Sequence, residues 1–315
     1  MSGFGIHHVT AMARGARRNL AFHTGLLGQR LVKKTVNFED PATYHLYYGD
    51  DLGRPGTALT YFPWENAAPG LRGDGETAET AMRVPEGALD FWRARFDANG
   101  VAHETARRNG REALLFADLD GMRFALVGLP GVADEPAWTS EEIGAAEALR
   151  GFESVTLDVA EPEKTAAILR DVLGFSEAGG EGGRLRFESG AAIGAAVELV
   201  ASRHGRRPRL GAGSVHHVAF RAADDATQEA MAQTLFDRFG IASTEQKDRK
   251  YFRSIYFREP NGVLFEIATD EPGFAIDEAP EALGGALMLP AFLETQRARI
   301  EAALPPLDTT RGEAA

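Results

Sequence analysis

The chain alternates short apolar runs, typical of β-strands, with amphipathic stretches typical of helices, and the alternation recurs four times. Each repeat opens with a strand, passes through a helix that stops at a glycine, and continues into several short β-rich segments. Glycine is expected there because it readily adopts the left-handed conformation of a helix C-cap. The pattern predicts four diverged βαβββ units, at about residues 4–66, 76–130, 149–203 and 212–270.

The remaining segments connect or follow these units. A stretch rich in Gly, Pro and acidic residues, Leu129 to Arg150, reads as the midpoint linker, and the basic run from Arg203 to Arg209 reads as a solvated loop. The expected division is therefore 1–130 with two units, 149–270 with two units, and a tail over 271–315 with one helix, Ala291 to Ala303. The fold class is α+β, and each unit needs a partner to bury its sheet face.

Two histidine pairs stand in closely similar surroundings. His7-His8 and His216-His217 are each flanked by β-branched residues, which predicts strands. A third apolar strand carries one carboxylate, Glu266, and burying that charge is costly unless it is paired or bound to metal. One His-His pair in a strand is usually structural, but two matched pairs and a buried carboxylate indicate a metal site. Two histidines and a carboxylate form the ligand set of non-haem iron(II) sites with open coordination positions.

Side-chain alternation limits which histidines can share a metal. Adjacent strand residues point to opposite faces, so at most one member of each pair can ligate from an ideal strand. Thr10 shares the face of His8. His7 and His216 are expected to face away unless a bulge or twist re-aims them.

Composition excludes several classes of function. The chain has 315 residues, a formal net charge of −12 and a pI near 5.2, which argues against nucleic acid and anionic membrane surfaces as partners. It has no cysteine, so any metal must use nitrogen and oxygen ligands. The N-terminus has no apolar run of signal-peptide length, and the longest apolar run, residues 283–293, is too short to span a bilayer. A cytoplasmic protein is expected.

The motifs resemble the vicinal oxygen chelate superfamily, which includes glyoxalases, bleomycin resistance proteins and extradiol dioxygenases, and most closely its hydroquinone-type ring-cleaving dioxygenases. Four segments, which together span most of the chain, carry the resemblance: Gly5-Ile6-His7-His8-Val9-Thr10, Tyr44-His45-Leu46-Tyr47-Tyr48-Gly49-Asp50, Val215-His216-His217-Val218-Ala219-Phe220 and Arg258-Glu259-Pro260-Asn261-Gly262-Val263-Leu264-Phe265-Glu266. The resemblance implies paired βαβββ units in half-barrels, a small aromatic substrate, dioxygen, and association of chains into homo-oligomers.

The resemblance also implies a site. His8, His217 and Glu266 would bind Fe(II), and Mn(II) accepts the same nitrogen and oxygen ligands. Supporting roles would fall to Arg249, Tyr256, His7, Thr10 and His216. Without the resemblance, Arg249 would read as part of a solvated charged run and Tyr256 as a half-buried aromatic. His45 is interpreted as structural, and His23, His103 and His204 as helix-surface or loop residues.

The predicted ligands fix the pairing of the units. His8 lies in unit one, whereas His217 and Glu266 lie in unit four, and ligands of one metal lie about 2–2.2 Å from it. Units one and four should therefore share the metal site in one half-barrel, and units two and three should form the other. Pairing one with two and three with four would require a site shared between subunits, or would remove His8 from the ligand set.

Two other functions remain open from the residues. A glyoxalase-type lyase or isomerase would need a carboxylate at the position of Thr60, which corresponds to Glu266 when the units are aligned on their turn glycines. A metal-free binding or resistance protein would use only the cleft, which leaves the matched ligand set unexplained. In the same alignment unit two has Ala125, while unit three has Glu198 but Thr156-Leu157 in place of a histidine pair. One metal per chain is expected.

Overall fold

The computed structural model describes residues 4–307, which form two eight-stranded sheets and a few short helices. The strands, numbered in chain order, are β1 (Ile6–Arg14), β2 (Arg30–Val36), β3 (Tyr44–Gly49), β4 (Ala58–Trp64), β5 (Glu76–Pro85), β6 (His103–Arg108), β7 (Arg111–Ala117), β8 (Arg123–Leu129), β9 (Phe152–Val159), β10 (Ser176–Glu181), β11 (Arg184–Glu188), β12 (Ala196–Ala201), β13 (Val215–Ala222), β14 (Lys247–Asp248), β15 (Arg253–Arg258) and β16 (Leu264–Thr269). The helices are α1 (Ala16–Leu20), α2 (Leu89–Ala98), α3 (Pro162–Asp171), α4 (Asp225–Phe239), α5 (Ala291–Glu294) and α6 (Arg297–Ala303), with a π-helical segment, Ala21–Leu26, after α1.

The sheet order confirms the predicted α+β architecture and the pairing of the units. The first half-barrel has the order β14-β15-β16-β13-β1-β4-β3-β2, and β1 pairs antiparallel with β13. The second has the order β10-β11-β12-β9-β5-β8-β7-β6, and β5 pairs antiparallel with β9. Unit one therefore shares a sheet with unit four, and unit two shares a sheet with unit three. The division into 1–130, 149–270 and a tail stays a prediction.

Two β-bulges interrupt the seam between β1 and β13. Ile6 pairs with Phe220 but His8 pairs with Ala219, so His7 is an extra residue on β1. Thr10 then pairs with His217 but Ala11 with Val215, so His216 is an extra residue on β13. A bulge locally breaks the strict alternation of side chains and re-aims them. The first member of each histidine pair therefore lies at a bulge.

Residues after unit four close one end of the first half-barrel. Phe274 packs in one cluster with Tyr251, Phe252, Ala58 and Ala268. Ala58 and Ala268 are two residues from Thr60 and Glu266 on β4 and β16, so all four side chains share one sheet face. The concave face is covered at this end by aromatic rings.

Ion pairs hold the segment after Phe274 against this end of the half-barrel. Lys33 of β2 is completely buried and binds Asp277 and Glu278, with Nζ to carboxylate distances of 2.6 and 2.5 Å. A buried ammonium is tolerated only when it is paired in this way.

Further along, the helix predicted over residues 291–303 is in fact two short helices, α5 and α6, separated at Thr295 and Gln296. None of the described helices is long and apolar enough to cross a membrane.

His23, expected at the surface, is fully buried. It stacks on Tyr48 with ring centroids 4.6 Å apart, and its Nδ1 lies 2.8 Å from Gln29 Oε1. Burial lowers the pKa of its imidazole to about 4, against a normal value of 6.5. The prediction was wrong because His23 lies in the π-helical segment, where side chains do not follow the α-helical period.

A His23→Phe variant should flatten the acid dependence of stability. Because the folded pKa lies below the unfolded one, the unfolded chain takes up a proton that the folded chain excludes. The stabilisation is complete above pH 6.5 and is lost as the pH falls to 4, a change of about 3 kcal/mol in the free energy of unfolding. Urea unfolding of both proteins at pH 4.5, 5.5 and 7.5 measures it. An equal slope for the variant and the wild type between pH 4.5 and 6.5 would contradict this role.

Candidate metal centre

Three side chains from three neighbouring strands meet on the concave face of the first half-barrel. His8 Nε2 lies 3.3 Å from His217 Nε2 and 3.4 Å from Glu266 Oε2, and His217 Nε2 lies 2.9 Å from Glu266 Oε2. Two ligands at right angles on a metal with bonds of about 2.1 Å would lie about 3 Å apart. The three atoms therefore have the spacing of adjacent ligands of one ion.

The carboxylate has an oxygen without a hydrogen-bond partner. Glu266 is fully buried; its Oε1 accepts a hydrogen bond from Ser254, but Oε2 has no partner among the described residues, since the nearby His217 is not aligned to donate to it. Burial opposes ionisation of Glu266, yet the adjacent imidazoles His8 and His217 hold its pKa well below the usual range. A buried, ionised oxygen left unpaired is costly, and a divalent cation would satisfy it.

Each predicted ligand is held by its neighbouring histidine. His7 Nδ1 lies 2.9 Å from His8 Nδ1, and His216 Nδ1 lies 2.8 Å from His217 Nδ1. The bulges produce this contact, which strict alternation would have forbidden. Burial lowers the pKa values of His7 and His216 to about 3, so both rings are neutral and can accept a hydrogen bond. With the proton on Nδ1 of each ligand, Nε2 keeps a lone pair for a metal.

Thr10 is part of a polar chain on the same face. Thr60 Oγ1 donates to Thr10 Oγ1 at 2.8 Å, and His45 Nε2 lies 2.9 Å from Thr60 Oγ1. Tyr47 Oη lies 2.9 Å from His45 Nδ1 and completes the chain. His45 is thus held in this chain of hydrogen bonds, and its structural interpretation stays a prediction.

Arg249 and Tyr256 form one unit beside His217. Arg249 Nε donates to Tyr256 Oη at 3.2 Å, and the rings of Tyr256 and His217 are 5.7 Å apart. The Arg249 side chain is only 19% exposed and also binds Glu39, so the solvated-run interpretation does not hold for it. Burial, with the charge of Glu266, raises the pKa of Tyr256, which keeps the phenol protonated. The sequence alone did not single out Glu39.

Phe252 is a second residue that sequence reasoning missed. Its ring lies 5.1 Å from the ring of His7 and 5.0 Å from the ring of His8. It belongs to the aromatic cover described above and keeps water from that side of the imidazoles. Phe252 follows a charged run in a loop, and nothing in the local sequence predicts that its ring contacts the two histidines.

The second half-barrel has the same strand pairing as the first, but different residues stand at the three ligand positions. The strand registers place Glu79 at the position of His8, Ser154 at that of His217 and Glu198 at that of Glu266. The histidine pair therefore corresponds to residues 153–154, and the alignment with Thr156-Leu157 was wrong by three residues.

Three arginines neutralise these carboxylates, since Arg108 also binds Glu79 and Arg186 also binds Glu198. Arg184 Nη1 lies 2.8 Å from Glu198 Oε2 and 3.7 Å from Glu79 Oε1. Within residues 4–307, one other group has metal-ligand spacing, namely Glu76, Asp158 and His204 near the surface, and Arg72 already bridges its two carboxylates. Neither place matches the buried His-His-Glu set, and one metal per chain stays our prediction.

Comparisons with known proteins agree with the fold and the motifs. The sequence model of the Glyoxalase/Bleomycin resistance protein/Dioxygenase superfamily matches residues 151–267. The chain is 42% identical over 304 residues to the putative ring-cleaving dioxygenase MhqO of Bacillus subtilis, covering 96% of each chain. It is 36% identical to the chlorohydroquinone/hydroquinone 1,2-dioxygenase of Sphingobium indicum, covering 92% of each.

Solved structures give the same result. A putative dioxygenase from Bacillus subtilis superposes with a TM-score of 0.93 at 42% identity, covering 98% of both chains. Glyoxalase I from Zea mays, at 14% identity, a TM-score of 0.64 and coverage of 85% and 92%, shares the fold. The predicted family is confirmed: the chain belongs to the Glyoxalase/Bleomycin resistance protein/Dioxygenase superfamily and, within it, to the ring-cleaving dioxygenases.

Proposed function

We propose that the protein is an Fe(II)-dependent dioxygenase that opens a hydroquinone-like or catechol-like ring, with His8, His217 and Glu266 as the metal ligands. The observation that carries the proposal is the buried His-His-Glu set, whose three ligand atoms lie within 3.4 Å of one another. Among the residues that the structure describes, Glu266 Oε2 has no hydrogen-bond partner. A site with two histidines and one carboxylate leaves metal positions open for substrate and dioxygen. The hydroquinone class is suggested by the relative from Sphingobium indicum.

The fourth strand position supports this chemistry over a glyoxalase-type reaction. Thr60 occupies it, and the Thr60 hydroxyl is already bound to Thr10 and His45. It offers no carboxylate to move a proton or to add a fourth charged ligand. An open coordination position is what a substrate-binding metal requires, whereas a structural site would be closed.

The chain's own residues would prepare the substrate and control its protons. When bound, the metal would supply Lewis acidity toward a ring hydroxyl and a site for dioxygen activation. Arg249, which stays charged, would offset negative charge on the substrate oxygen. Tyr256, kept protonated by burial, would donate a hydrogen bond or a proton to an oxygen. Phe252 would exclude water from the side of His8.

The histidines at the bulges should act through the ligands they touch. Replacing His216 by Phe removes the acceptor for His217 Nδ1–H and should weaken Mn(II) binding about 10- to 100-fold, as is typical for the loss of such a partner. Electron paramagnetic resonance of free Mn(II) measures the affinity without turnover.

A His216→Asn variant tests the hydrogen bond separately from the ring, because its side-chain oxygen can still accept. It should recover part of the affinity. Equal affinities for the wild type and the His216→Phe variant would show that His216 only fills space.

The proposed activity is tested by adding Fe(II) and hydroquinone to the metal-free protein in air. Stoichiometric oxygen uptake and a yellow ring-opened product are expected, and catechol in place of hydroquinone tests whether one or two hydroxyls are needed. Mn(II) in a parallel sample tests the metal. Tight metal binding without oxygen uptake for any dihydroxybenzene would overturn the dioxygenase proposal and favour a lyase or isomerase.

A further inference from the structure

The concave face of the first half-barrel has one covered end and one open end. Phe274 and its neighbours cover the end at Ala58 and Ala268. At the opposite end the face meets a cavity of about 580 Å³. Its wall includes Arg207, Arg209, His216, Arg258, Gly262 and Leu264.

The strands connect this cavity to the candidate metal centre. Arg258 and Leu264 lie two residues from Tyr256 and Glu266 on β15 and β16, and those four residues form two paired positions of the same ladder. Residues two apart share a sheet face and are separated by about 7 Å. His216, another wall residue, is bound to His217. The cavity thus adjoins the metal centre at the open rim.

Two arginines converge at this rim. Arg258 Nη1 donates to the Gly262 carbonyl at 2.8 Å, and Arg207 Nη1 lies 3.9 Å from the point that a Cβ atom would occupy at Gly262. Across the described residues, neither guanidinium has a carboxylate partner within 4.0 Å, although the chain carries a net charge of −12. Both guanidinium groups therefore have N–H donors that can bind a ligand.

The acidic residues of the wall are engaged elsewhere. Glu76 binds Arg72, with an Nε to Oε1 distance of 3.0 Å. Asp74 accepts hydrogen bonds from Ser202 Oγ and from the backbone N–H groups of His204 and Gly205. The part of the wall beside Gly262, where Arg207 and Arg258 lie, is therefore positively charged. Guanidinium groups bind carboxylates well.

We propose that this rim is an anion subsite of the active centre, which binds a carboxylate carried by the aromatic substrate or by the ring-opened product. The inference rests on the proposed function. When both atoms of dioxygen are added and the bond between a hydroxylated ring carbon and its neighbour breaks, the hydroxylated carbon becomes a carboxyl carbon and the neighbour a carbonyl carbon. Oxygen is reduced, the ring is oxidised, and the carboxyl group releases its proton at neutral pH. Every product of this reaction therefore carries the charge that Arg207 and Arg258 would bind.

The subsite itself is tested on the metal-free protein, by calorimetric titration with cis,cis-muconate as the probe. The Arg207→Gln, Arg258→Gln double variant should bind muconate about tenfold more weakly than the wild type. Arg206→Gln is the matched control, because Arg206 lies on the same loop but donates to the Arg72 carbonyl and is outside the cavity wall. Equal binding by the double variant and the wild type, or no binding by either, overturns the proposal.

The source of the carboxylate is tested with the iron-loaded protein. If it belongs to the substrate, the double variant should raise KM for (2,5-dihydroxyphenyl)acetate about tenfold and leave KM for hydroquinone unchanged. If the carboxylate belongs to the product, the double variant should leave both KM values unchanged and raise the inhibition constant of muconate about tenfold. If the double variant changes neither the KM for (2,5-dihydroxyphenyl)acetate nor the inhibition constant of muconate, the subsite proposal is overturned. Arginine-dependent muconate binding in a protein without turnover would instead retain the subsite and reject the proposed activity.

Discussion

The His8→Ala, His217→Ala double variant is expected to bind Fe(II) at least about a hundredfold more weakly than the wild type and to lose all turnover. It would leave only Glu266 of the three converging ligands, and one carboxylate cannot hold iron against dilution. Metal analysis after dialysis, together with oxygen uptake, measures both effects.

His45→Ala is the control for this experiment. His45 lies on the same face and is bound to Thr60 and Tyr47, but its nitrogens are both committed there. This variant should keep one metal per chain. Full iron occupancy in the double variant would show that the metal lies elsewhere.

Replacing Tyr256 by Phe should lower kcat about a hundredfold while leaving metal content unchanged. The substitution removes only the hydroxyl that Arg249 holds at 3.2 Å and keeps the ring beside His217. Since burial keeps the phenol protonated, its loss removes a donor from the site. Oxygen uptake in a single turnover, with iron measured on the same sample, separates chemistry from metal loss.

Tyr44→Phe removes a phenol of the same half-barrel that donates to the Pro305 carbonyl, outside the site. It should leave kcat within about twofold, well under the effect expected from removing a catalytic proton donor. A kcat for the Tyr256→Phe variant as high as this control would leave Tyr256 with a packing role alone.

Much of the fold was readable because local and long-range signals agree. The repeated strand, glycine-capped helix and strands predicted four units. The matched strands and the family resemblance together pointed to His8, His217 and Glu266, which the structure brings together. The pairing of units one and four followed from the requirement that one metal binds residues from both. None of these steps needs knowledge of the exact register.

The remainder depended on register, which the pattern does not encode. The bulges at His7 and His216 arise where two strands from opposite ends of the chain meet, and no local signal marks them. The three-residue error in unit three is likewise an error of register. The orientation of Arg249 depends on Glu39, which lies 210 residues away in sequence and belongs to another unit.

The pairing of the first unit with the last has a consequence for synthesis on the ribosome. His8 and Glu266 are separated by 266 − 8 = 258 positions, whereas strands β5 to β12 lie together between residues 76 and 201. Contacts distant in sequence form late, and domains begin to fold while the chain emerges. The middle half-barrel has all its strands before β13 is made, while β1 waits with its seam edge unpaired. A nascent chain that stops before residue 212 carries only one of the three proposed ligands, so the proposed site can bind its metal only after residue 266 has been made.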